Sequence, residues 1–176
     1  MPVKLNNIRG FSLVEMIVVI VVLSIGLTGL TLVMTETVEQ SPKPLVNTRA
    51  MELAQTYLDE ILMKRFDEQT GQGGTPRCDS TDNNAQTCTN SLGNEEGNNR
   101  SLFDDVDDYQ GVNDLPPVSA TGTNLTMYSS YQVQVSVVYA GNEIGLGSNR
   151  AAKRITVLVT TPLGNSIPIS AYRGNF

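Results

Sequence analysis

The chain has 176 residues, 18 acidic against 12 basic side chains for a net charge of -6, no histidine and two cysteines. Its few basic residues are scattered, which disfavours a phosphate-binding surface and with it a nucleic-acid partner. Without histidine the chain lacks the commonest general base and metal ligand and every Cys/His nucleophile arrangement, so no catalytic residue is assigned and no cofactor is expected.

Residues 1–10 are short and polar, carry Lys4 and Arg9, and lead at once into FSLVEMIVVIVVLSIGLTGLTLVM over residues 11–34. At about 1.5 Å per residue such a run predicts a helix over 11–41 that is long enough to cross a hydrocarbon core of about 30 Å. A removed secretory signal peptide fits less well, because its apolar region is only about 7–15 residues and ends in a small-residue cleavage site that is not evident here. Lys4 and Arg9 on one side, with Glu36 and Glu39 on the other, orient the span with its N-terminus in the cytoplasm and the bulk of the chain outside. Gly26 and Gly29 allow either close helix approach or a tolerated interruption.

Glu15 is the only charge within the apolar run. At mid-span an ionised carboxylate costs on the order of 3 kcal/mol on insertion scales, and its short stem reaches an interface less well than a lysine does. Cleavage after Gly10 would make Phe11 a new N-terminus with a positive amine one helical turn before Glu15, so a complementary charge pair becomes available.

The junction Gly10-Phe11-Ser12-Leu13-Val14-Glu15, placed after a basic leader and at the head of the apolar run, resembles that of the type IV pilins and their secretion-system relatives. The resemblance implies cleavage between Gly10 and Phe11 by a membrane prepilin peptidase and N-methylation of Phe11. It also implies contact of Glu15 with the N-terminal amine of a neighbouring subunit. Such a pair adds little net stability but sets axial register, since an unpaired Glu15 is strongly unfavourable. Many pilins carry proline near the position of Leu32; leucine there leaves the helix free to continue.

Pro42 and Pro44 predict a kink or break at 41–44. From 45 to 66, Ala54, Tyr57, Leu58, Ile61 and Leu62 recur at helical spacing, which predicts an amphipathic helix seated on a partner layer. Strict alternation through Tyr131, Val133, Val135, Val137 and Tyr139, then through Ile155, Val157 and Val159, predicts strands. The turn residues 161–165 and a last strand through Ile167, Ile169 and Ala171 complete a sheet over 127–172. Pro168 assigns that last strand to an edge. The expected class is therefore α+β, with a long N-terminal membrane-spanning helix and a head over 42–176 that packs a helix on an antiparallel sheet.

Residues 67–117 form a long polar region without apolar period, which calls for an explanation. Cys78 and Cys88 are most simply a disulfide that staples it, because a redox or metal role would need Cys-x-x-Cys spacing or imidazole partners. Asp104, Asp105, Asp107 and Asp108 stand between Phe103 and Tyr109. They read as a solvated acidic turn or, with spacing that fails the EF-hand pattern, as a calcium candidate.

That acidic run, with Leu53–Ile61, Lys64–Glu68 and the Cys78–Cys88 loop, is similar to the D-type minor pilins of the mannose-sensitive haemagglutinin (MSHA) pilus. The resemblance implies a low-abundance subunit that starts or caps a filament used for surface attachment. Its partners would be other pilin subunits, met through the N-terminal helix. Its place would be the bacterial inner membrane before assembly and the pilus surface afterwards. Two alternatives stand beside this reading, a minor pseudopilin of a type II secretion system and, more distantly, an anchored periplasmic enzyme or receptor.

Overall fold

The computed structural model describes residue 10 and residues 12–40, 42–97 and 99–176, with the side chains of 30–40 and Pro42 left aside. The chain divides into two compact units, one ending at Pro44 and one over Leu45–Phe176.

The first unit is built on α1, Leu13–Gln40. Among its described side chains every large apolar residue from Leu13 to Leu27 is exposed, from 45% at Val19 to 75% at Leu13. Two of its described hydroxyls turn inward along the backbone: Ser24 Oγ donates to the Ile20 carbonyl at 2.7 Å and Thr28 Oγ1 to that of Ser24 at 2.9 Å. Such back-bonding leaves few polar groups at the helix surface. The backbone helix runs for 28 residues, but its side chains are described only as far as Gly29. Over the described residues no helix is long and apolar enough to cross a membrane.

The second helix, α2, spans Pro42–Leu62 rather than 45–66. Ser41 lies outside the described residues, and Pro42, Lys43 and Pro44 are helical, so the expected break does not extend over 42–44. The physical reason is position: in a first helical turn no N–H needs an intrahelical acceptor, so the prolines remove nothing. At the other end Met63–Phe66 leave the helix, and Arg65 instead forms a bridge with Asp105.

The sheet has four antiparallel strands in the order β1 (Asn113–Asp114), β2 (Gln132–Tyr139), β3 (Ala152–Thr160) and β4 (Ser166–Gly174). Val133 pairs with Val159, Val135 with Val157 and Val137 with Ile155, so the period-2 apolar sets of β2 and β3 fall on one face. Pro168 sits on β4 opposite Leu158 at the sheet edge, where its missing N–H can face away from the ladder.

Within the second unit α2 lays Ala50, Leu53, Ala54, Tyr57, Leu58 and Ile61 on that face, a 3.6-residue stripe meeting the two strands. The α+β class is as expected. Residues 67–117 differ from the expectation: they carry short 3-10 turns and the two-residue β1, and they send Phe103, Val106 and Tyr109 into the core.

Candidate functional sites

At the N-terminal junction, Gly10 is exposed and Phe11 lies outside the described residues. Helical bonding starts immediately after it, where the Met16 amide donates to the Ser12 carbonyl at 3.2 Å. Glu15 therefore falls in the first turn of α1, where the helix dipole favours a carboxylate. It is exposed and forms no ion pair among the described residues.

In the head the acidic turn is not solvated. Asp105, Asp107 and Asp108 are each no more than 1% exposed, and only Asp104 faces outward, paired with Arg65. Burial is possible because the turn caps itself. Asp105 Oδ1 accepts the amides of Asp107 (2.8 Å) and Asp108 (3.2 Å), and Asp108 Oδ2 accepts those of Asp104 (2.8 Å) and Asp105 (3.1 Å). These reciprocal bonds satisfy the free amides around the 3-10 turn Asp107–Tyr109 in the manner of a capping box. Desolvation first, and then the Asp107 carboxylate, push the Asp105 carboxyl up to about 9, which favours its protonated form.

Asp107 instead meets Lys153, whose side chain is fully buried at the start of β3. The Lys153 ammonium donates to Asp107 Oδ1 at 2.5 Å, to the Phe66 carbonyl at 2.6 Å and to Asp67 Oδ2 at 3.3 Å, and stands 4.5 Å from the Phe66 ring centroid. Asp67, equally buried, also accepts the Gln69 and Thr89 amides and the Tyr139 hydroxyl. The three donors of an ammonium are thus all used, an arrangement suited to structure rather than to nucleophilic chemistry.

Cys78 and Cys88 form a disulfide, buried beside Phe66 and Tyr139. Arg150 fastens the loop to the sheet side: its guanidinium bonds the Cys88 carbonyl, Asp79 Oδ2 at 2.7 Å and Asn90 Oδ1 at 2.6 Å, over the Tyr139 ring. The four aspartates named as a calcium set do not converge on one point. Asp104 turns to Arg65, Asp107 to Lys153, and Asp105 and Asp108 to backbone amides. Asp67, Lys153 and Arg150 carry no local pattern in sequence, because each acquires its role from a partner distant along the chain.

Residues 5–31 match the prokaryotic N-terminal methylation motif. The match supports a class III signal peptide of the type IV pilin-like kind. It is consistent with membrane anchoring and a pilus surface. No curated protein and no solved structure matches the chain.

Proposed function

We propose that the chain is a non-enzymatic minor pilin, a low-abundance subunit of an MSHA-like type IV pilus that helps initiate or cap a filament for surface attachment. The observation that carries this reading is a methylation motif on a helix whose described large apolar side chains are all exposed, with Glu15 the single acid among them. A helix apolar all round needs lipid or other helices as its surroundings. In this reading the leader 1–10 is cut between Gly10 and Phe11 and Phe11 is N-methylated. Residues 11–41 then sit in the bacterial inner membrane with the N-terminus cytoplasmic, and later in the filament core, while the head over 42–176 faces outward. Glu15 takes the terminal amine of the adjacent subunit as its counter-charge.

Mass spectrometry of the mature protein tests the reading: the expected N-terminus is methylated Phe11, and a native chain that still begins at Met1 refutes it. A minor pseudopilin of a type II secretion system shares the junction and the helix. The MSHA reading is favoured by the resemblance of Asp104–Tyr109, Leu53–Ile61 and Lys64–Glu68 to the D-type minor pilins. Deletion of the gene separates the two: loss of surface attachment supports the pilus, and loss of exoprotein secretion supports the pseudopilus.

A further inference from the structure

Glu95, Glu96 and Asp108 bring one carboxylate oxygen each to within 4.8 Å of one another. Nothing positive answers them: among the described residues none of the three forms an ion pair with lysine or arginine. The adjoining acids Glu68 and Asp104 are different, since Arg65 bridges both. Asp108 is 1% exposed; its Oδ2 is taken by two amides, and its Oδ1 is buried with no hydrogen-bond partner. Glu96 lies within hydrogen-bond reach of Asp108, and its own buried Oε2 likewise accepts no donor from the described residues of the head.

We propose that Glu95, Glu96 and Asp108 form a calcium site that fastens the polar segment before Arg100 onto the buried turn Asp107–Tyr109. Calcium binds six to eight oxygens at about 2.3–2.6 Å in irregular geometry, so one ion spans oxygens up to about 5 Å apart. Three carboxylates, with water in the remaining positions, suit it. Magnesium, which demands near-ideal octahedral geometry and gives up water reluctantly, suits it less. The site differs from the four-aspartate set read from the sequence and keeps only Asp108 of it. It holds whether or not the chain enters a filament.

The test uses the full chain in detergent micelles, with calcium chloride as the probe in calorimetric titration and tyrosine near-UV signals to follow melting of the head. The expected dissociation constant is of the order of ~10⁻⁴–10⁻³ M, the range of extracellular calcium modules, with magnesium at least about tenfold weaker. Calcium at about 10 mM should raise the head's Tm by roughly 4–10 °C over EDTA. The double variant Glu95→Gln/Glu96→Gln should lose both the heat of binding and the calcium-dependent shift. In EDTA it should melt at or above the parent temperature, because a repulsive contact has been removed. No calorimetric binding up to about 10 mM, or an undiminished calcium shift in a folded double variant, overturns the proposal.

Discussion

Lys153→Met is the perturbation that reaches furthest into the head. The substitution keeps an unbranched side chain of similar length, so the loss falls on charge more than on volume. Lys153 is fully buried, and its ammonium lies 2.5 Å from Asp107 Oδ1, 2.6 Å from the Phe66 carbonyl and 3.3 Å from Asp67 Oδ2. Removing it leaves two carboxylates in the interior; Asp67 retains amide and hydroxyl donors, but Asp107 Oδ2 already has no partner. Breaking a buried pair at one end costs about 3–5 kcal/mol, a large fraction of the roughly 5–15 kcal/mol by which a domain is stable. For a unit the size of Leu45–Phe176, that corresponds to a Tm lower by about 10–15 °C. Guanidinium melts of the full chain in detergent, followed by tyrosine near-UV dichroism, measure the loss. Adding Asp107→Asn to Lys153→Met removes the stranded charge and should recover about 1 kcal/mol or more, a non-additivity expected of groups in direct contact. A single variant that loses less than about 1 kcal/mol, or a double variant as damaged as the two single losses combined, would refute the reasoning.

Glu15→Ala should leave leader cleavage intact and reduce incorporation into filaments by about tenfold or more, because register between apolar helices loses its charge pair; immunoblots of sheared filaments against whole cells read this. Replacing Cys78 and Cys88 together by serine should lower head stability by about 3 kcal/mol, the loop-closure value for a separation of 10 residues, as read from denaturant midpoints and m-values together. Asp105 faces Asp107, Asp108 and Lys153, and its folded carboxyl, held up at about 9, stands above the unfolded value. It binds more protons folded than unfolded, so its contribution is complete at low pH and is lost as pH rises through about 9. In EDTA, Asp105→Asn should flatten the fall in Tm across that interval; an unchanged pH profile would remove the protonated acid from the account.

The apolar periods of α2, β2 and β3 were legible because each is a property of a short window, and the face they define is the face they bury. β1 was not, since Asn113–Asp114 shows no period and exists only through its pairing with Gln134 and Val133 of β2. The prolines placed the helix boundary too broadly for a local reason: a first turn and a helix interior look alike in sequence, yet only the interior loses a hydrogen bond, so 42–44 join α2. Burial of the acidic turn was hidden more deeply. Four aspartates within five residues signal solvent unless amides and a cation are supplied, and here the cation, Lys153, comes from a strand 46 residues beyond Asp107. Lys153 itself reads as an ordinary polar strand start. The disulfide could be anticipated from two cysteines that lack Cys-x-x-Cys spacing and imidazole partners.

Within the head, Arg100 lies between Glu60 and Asp114 at 3.2 and 3.8 Å, Lys153 between Asp67 and Asp107, and Arg150 on Asp79. Buried positive charge in that unit is answered from its own sequence. The N-terminal helix is built the other way: its described large apolar side chains are exposed, and its one described acid, Glu15, finds no ion pair among the described residues. A carboxylate in apolar surroundings must find a counter-charge or a proton. In the proposed filament it finds the amine of the next subunit, so cohesion and register reside in the helix. The head's internally matched charges then leave its outer surface free to differ from those of neighbouring subunits without loss of assembly. Exchange of the segment 11–41 for that of another pilin carrying the same acid should therefore preserve incorporation, whereas the same exchange with that acid replaced by alanine should abolish it.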